Sequence, residues 1–225
     1  MNNGYFTKGE WALWLSSAAL VCTTFFLWGD GDLLHLSASL IGVTSLILNA
    51  KGNPIGQLLM IVFSLLYGGV SFRCRYYGEM ITYVGMTMPM AAAALVSWLK
   101  HPYRGNRAEV VVQRMCRRYW VEMWVLAVPV TVVFYWILAA FHTANLLPST
   151  LSVTTSFLAV YLTFRRSPWY AVAYAANDIV LIVLWVLASL QNTAYISVVI
   201  CFAVFFANDV YGFVSWRRME RRQAQ

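Results

Sequence analysis

Residues 149–185 read STLSVTTSFLAVYLTFRRSPWYAVAYAANDIVLIVLW, two apolar runs hinged on the basic turn Arg165-Arg166-Ser167-Pro168. Each run is long enough to cross a ~30 Å hydrocarbon core at about 1.5 Å per helical residue. Pro168 stands at a helix start, where a missing N–H costs nothing. The same pattern continues outward in both directions. Apolar runs fall at 11–28, 33–50, 54–72, 80–99, 119–141, 147–164, 168–190 and 194–216, separated by turn-forming Gly, Pro and Asn residues. Pro89 and Pro129 fall inside runs and predict kinks. The chain therefore reads as an all-α membrane protein with eight transmembrane helices. Its composition agrees: 60% of the 225 residues are hydrophobic and 11% charged, whereas a soluble domain carries about 25% charged residues.

Charge placement tests the count. With the N-terminus and the even-numbered connections on one side, that side holds 14 of the 16 Lys and Arg, and the other holds Arg73 and Arg75. The positive-inside rule makes the rich side cytoplasmic, with both termini inside. The net charge of +7 is thus a topology signal in short loops, and it points away from nucleic acid as a partner. The run 11–28 is long for a secretory signal and lacks a small-x-small cleavage site, so it reads as the first span. Cys22, Cys74, Cys116 and Cys201 have no metal-knuckle or redox-pair spacing, and neither do His35, His101 and His142. No metal or cofactor is expected. The stretch RAEVVVQRMCRR in the connection 100–118 suits either a short helix lying on the inner membrane surface or an ordinary basic loop.

An internal repeat organises the spans. SLIGVTSLILNAKGNP (39–54) and SVTTSFLAVYLTFRRSP (152–168) are both small-polar helices ending in a basic turn and a Pro, with the two Pro residues 114 positions apart. Two spans follow each, and the units close on Ser97-Trp98 and Ser215-Trp216 plus basic residues, 118 apart. The expected organisation is an N-terminal transmembrane helix (1–32), a first three-helix bundle (33–100), a basic loop and linker helix (101–146), a second three-helix bundle (147–217) and a basic tail (218–225). Three spans reverse direction and one linker restores it, so the bundles run parallel. Transporters built this way bind substrate near the midplane between the halves.

Polar groups at membrane depth are expensive and mark function. Tyr174, Asn177, Asp178 and Trp185 share one helical face, and Asn208-Asp209 forms a second Asn-Asp pair. Such groups can hydrogen-bond sugar hydroxyls or base edges, or tie helices together. The first bundle offers Gln57, Ser64, Tyr67, Tyr83 and Thr87, the aromatic members being stacking platforms for a flat ring. Phosphate-loop, zinc-protease, nucleophile-elbow, selectivity-filter and voltage-sensor patterns are all missing.

KGNPIGQ (51–57), YYGEMITYVGMTMPMA (76–91), the opening stretch 149–185 and FFANDVYGFVSWRRMERRQ (205–223) resemble the PnuC family of bacterial vitamin transporters, relatives of the SWEET sugar transporters. The resemblance spans nearly the whole chain. It implies the 3+1+3 layout, the bacterial cytoplasmic membrane, homotrimers, and facilitated diffusion of a nucleoside-like substrate that a cytoplasmic kinase traps by phosphorylation. Nicotinamide riboside is the family's best-known substrate. Many riboside carriers have a Trp-x-x-Trp pair early in the middle helix of the second bundle. Trp169 matches the first Trp, but Val172 replaces the second, which leaves thiamine, riboflavin and deoxynucleosides open beside the riboside. Proton-coupled uptake through Asp178 or Asp209, a membrane enzyme and a non-transporting sensor are the competing readings.

Overall fold

The computed structural model describes residues 5–28, 33–73, 77–143 and 145–225; Cys74, Arg75 and the turn at 29–32 lie outside the described residues. Eight helices are long and apolar enough to cross a membrane: α1 (Lys8–Trp28), α2 (Leu33–Ala50), α3 (Pro54–Arg73), α4 (Tyr77–Lys100), α5 (Arg117–Ala140), α6 (Leu146–Phe164), α7 (Trp169–Ser189) and α8 (Ile196–Gln223, entered through a 3-10 turn at Thr193–Tyr195). Lipid offers the backbone no hydrogen bonds, so each apolar run satisfies its own as a helix.

Six helices close a ring in the order α2, α3, α4, α6, α7, α8, with α8 packing back on α2. Outside it, α1 lies against α2 and α8, and α5 lies against α6. These outer two helices bury the least of their length, as expected for helices that face lipid on most sides.

Hydrogen bonds gather one end of the bundle. Lys51 Nζ reaches both carboxylate oxygens of Glu10 at 3.0 Å, and Arg165 Nη2 donates to Glu122 at 2.6 Å. Ser97 Oγ donates to the Phe164 carbonyl at 3.1 Å, and the Val112 N–H donates to Gln223. Every described Lys and Arg except Arg73 belongs to this basic end, the separation expected of eight crossings.

Two turns at this end are built alike. Gly52 and Arg166 both adopt left-handed backbone, with φ of 66° and 56°. Asn53 N–H bonds Leu48 O and Ser167 N–H bonds Leu162 O, each at 3.0 Å. Glycine adopts this conformation freely, whereas arginine does so under constraint.

Of the two readings of the connection 100–118, a surface helix or an ordinary basic loop, the helix does not form. The connection makes a hairpin of β1 (Pro102–Tyr103) and β2 (Asn106–Val110), turning through Arg104 and Gly105 at positive φ, and then runs extended. Its backbone bonds go outward. Val110 N–H donates to Gly52 O at 3.0 Å and Gln113 N–H to Arg166 O at 2.9 Å, so one extended segment fastens both left-handed turns. A helix would turn those N–H groups inward on itself.

The basic residues 218–223 form the last turns of α8, held by Gln223 Nε2 on Glu109 and on the Val110 carbonyl. Just before Pro89, where a kink is expected, stands a π-helical turn over Tyr83–Thr87, and Met88 N–H donates to Tyr83 O. Proline removes one bond of the normal ladder, and the widened turn absorbs the misfit. α5 continues as helix through Pro129.

Candidate functional site

The π-helical turn carries Tyr83 and Thr87 into the middle of the ring. There they meet Tyr174, Asn177 and Asp178 of α7 and Asp209 of α8 around a cavity of about 30 Å³. Six of the twelve expected residues therefore share one wall. Leu46, Met60, Phe63, Phe202 and Phe205 complete the lining, together with Ser156 of α6.

Asn177 is held from behind. Its Oδ1 lies 2.8 Å from Thr155 Oγ1, 3.1 Å from Ser156 Oγ and 3.4 Å from Ser152 Oγ. These hydroxyls recur at i, i+3 and i+4 on α6, which sets them on one face. With the carbonyl oxygen engaged, the amide NH2 is the group Asn177 can present to a ligand. The SVTTS pattern at 152–156 was the signal for this set.

Asp178 and Asp209 are both buried and line the same cavity. Among the described residues no Lys or Arg lines the cavity. The wall thus combines an amide donor, a carboxyl pair and aromatic faces, with no positive charge.

Aromatic rings close this cavity toward the end away from the basic loops. Tyr67 and Tyr83 ring centroids are 4.5 Å apart, Phe63 and Tyr67 5.5 Å, and Tyr67 and Phe202 6.1 Å. Beyond them Tyr67 and Trp185 line a second cavity of about 90 Å³ with His35, Ser71, Asn192 and Tyr195. Trp185 therefore meets a different space from Asn177, although both lie on one face of α7.

Four expected residues stand elsewhere. Gln57 donates to Asn49 Oδ1 at 2.8 Å, and Asn49 in turn bonds Ser45, a polar clasp between α2 and α3. Ser64 is fully buried and returns its hydroxyl to the Met60 carbonyl. Asn208 Nδ2 donates to Ser17 of α1 and to its own helix at Val204 O. Trp169 is 41% exposed and packs between Trp120 and Phe213 on the outer surface.

At the basic end, Arg166 is the one guanidinium among the described residues classed as buried. It donates to Gln113 at 3.0 Å, and burial lowers its pKa from the ordinary arginine value. On the surface nearby, Tyr5 has its phenol pKa raised by burial, against the Asn53 hydrogen bond that lowers it.

Comparison with known proteins places the chain. The profile of a family described as nicotinamide mononucleotide transporter matches residues 32–218. A nicotinamide riboside transporter PnuC from Neisseria mucosa is 24% identical over 218 residues, covering 95% of this chain and 82% of that protein. The crystal structure of the vitamin B3 transporter PnuC superposes with a TM-score of 0.84 at 22% identity, over 98% of this chain and 95% of that one. At that identity the likeness is one of fold, and it extends the eight-helix architecture to essentially every residue described above. With the matched segment running from α2 into the last turns of α8, the chain belongs to the nicotinamide mononucleotide transporter family.

Proposed function

We propose that this protein carries an unphosphorylated nucleoside-like vitamin precursor, nicotinamide riboside first, across the bacterial cytoplasmic membrane. The observation that carries the reading is the charge of the central cavity, which has two carboxyl groups and no cation. Nicotinamide riboside bears a fixed positive charge on its pyridinium ring, which suits the carboxyl pair and the faces of Tyr83, Tyr174 and Phe63. A nucleotide would bring a phosphate dianion into the same low-dielectric space with no Lys or Arg to meet it. The amide of Asn177 suits a ribose hydroxyl.

In this reading α2–α4 and α6–α8 are parallel, SWEET-like three-helix bundles joined by α5, with α1 preceding the first. The support is the matched turns at Gly52 and Arg166 and the two inter-bundle seams, α2 on α8 and α4 on α6. A cavity of about 30 Å³ holds little more than one water, so the bundles rock apart at those seams to admit substrate. Both termini face the cytoplasm with the basic end. Transport is uniport, facilitated diffusion drawn inward by a cytoplasmic kinase that phosphorylates the product, and the protein assembles as a homotrimer. The placement of Asp178 and Asp209 on one cavity favours one second reading, in which a proton travels with the substrate. A pH gradient that drives accumulation in kinase-free liposomes would select that reading.

The test is binding by the purified protein across nicotinamide riboside, nicotinamide mononucleotide, thiamine, riboflavin and deoxynucleosides. The riboside should bind at least tenfold more tightly than its 5′-phosphate. Equal or tighter binding of the phosphate overturns the reading.

A further inference from the structure

Glu79 lies in the first turn of α4, on the side of the ring away from the basic loops, and is 6% exposed. It lines a separate cavity of about 40 Å³ whose other polar members are Thr143, Asn145, Ser149 and Gln191. Neither Glu79 Oε2 nor Thr143 Oγ1 has a hydrogen-bond partner among the described residues, and no described Lys or Arg forms an ion pair with Glu79.

The pocket depends on the absence of a side chain at Gly78. A Cβ there would stand 2.5 Å from Leu138 Cδ2 and 3.0 Å from Thr143 Oγ1. Any larger residue would push Leu138 and Thr143 off the start of α4. The close approach at Gly78 therefore leaves the Thr143 hydroxyl on the wall of the cavity that Glu79 lines.

A buried carboxylate without a partner is costly in a membrane protein. One carboxylate surrounded by neutral hydroxyl and amide oxygens is the donor set of a hard cation. A single charge balances a single carboxylate, whereas a divalent ion would leave net positive charge buried. The volume is near that of one water in the liquid, about 30 Å³, which excludes an organic cation of ring size. We propose that this pocket binds one dehydrated alkali-metal cation. It is separate from the Asn177 cavity and independent of what that cavity carries.

The experiment is a thermal melt of the purified full-length protein in detergent, exchanging choline chloride for NaCl or KCl at constant ionic strength. Wild type should show a saturable rise of about 3 °C or more with one of the two ions, and Glu79→Gln should lose the response. Thr143→Val, which removes one neutral oxygen, should move the midpoint of the rise several-fold to higher salt and serves if Glu79→Gln does not fold. A wild-type melt indifferent to both ions overturns the proposal, as does a response unchanged in Glu79→Gln or, where that variant does not fold, in Thr143→Val. The melt needs no transport. Loss of the thermal response beside intact riboside binding removes this site alone, and the converse removes the transport reading alone.

Discussion

The indole rings of Trp98 and Trp216 lie 5.4 Å apart, both completely buried, and each bonds a carbonyl at the end of another helix. Trp98 Nε1 donates to Thr163 O of α6 at 2.9 Å, and Trp216 Nε1 donates to Asn49 O of α2 at 2.8 Å. The donors are 118 residues apart and the acceptors 114, the two spacings at which the sequence repeats itself. Each carbonyl also accepts a backbone N–H from its own turn, Thr163 O from Arg166 and Asn49 O from Gly52, both at 2.9 Å, so each indole adds a second, buried bond to a carbonyl already tied to the turn.

Trp98→Phe and Trp216→Phe should therefore lower stability to a similar extent. Each removes one buried hydrogen bond while the carbonyl keeps its backbone donor, a cost of about 0.5–1.5 kcal/mol. Thermal melts of the two single variants check this. A silent substitution at one position beside a severe one at the other contradicts the equivalence.

Gly52 should resist replacement. Its φ of 66° is a conformation that L residues rarely adopt, and a Cβ would press within 3.2 Å of Met219 and Val110. Gly52→Ala should cost about 1–2 kcal/mol from backbone strain. Arg166→Gly relieves the same conformation at the matching turn but forfeits the Gln113 bond, so its net effect should be smaller. Denaturation of both variants under one condition measures the difference.

The clasp at the start of α1 should show the asymmetry of a buried ion pair. Glu10 is 4% exposed and accepts from Lys51, from Tyr211 at 2.8 Å and from the Thr7 backbone at 2.6 Å. Lys51→Met strands the carboxylate and should destabilise by about 3 kcal/mol, whereas the Glu10→Gln/Lys51→Met pair should cost less. A double-mutant cycle reads the difference directly.

Thr155 and Ser156 act through Asn177, so they are positioning residues. Thr155→Val with Ser156→Ala frees the amide to rotate and should weaken riboside binding about tenfold while the melting temperature moves little. Thr155→Ser, which keeps the hydroxyl, should restore most of the affinity. Equal losses in affinity and stability would mark a merely structural role.

What was legible in the sequence follows from what lipid enforces. Spans were legible because each backbone must satisfy itself within its own helix, and the basic end because cations stay at the interface. The Trp98 and Trp216 endings were legible as a repeat, though not as partners across a seam. Rotation about each helix axis was hidden. Asn208 and Asp209 are neighbours in sequence, yet a turn of about 100° sends one to Ser17 and the other into the cavity. Gln57 and Ser64 were absorbed by partners within their own bundle, and Trp169 by rings on the outer surface. The hairpin at 102–110 and the segment after it were hidden because their backbone partners, Gly52 for Val110 and Arg166 for Gln113, lie more than 50 residues away in the chain. Glu79 was hidden because the fourth apolar run begins at residue 80, one position after it, so hydropathy alone leaves the carboxylate in a loop.

The central claim is that the Asn177–Asp178 wall carries the substrate, and uptake of labelled nicotinamide riboside into proteoliposomes tests it most directly. Wild type should show saturable uptake, and Asn177→Ala/Asp178→Ala should reduce it at least tenfold while the protein remains folded in the membrane. Normal saturable uptake by that double variant would contradict the account.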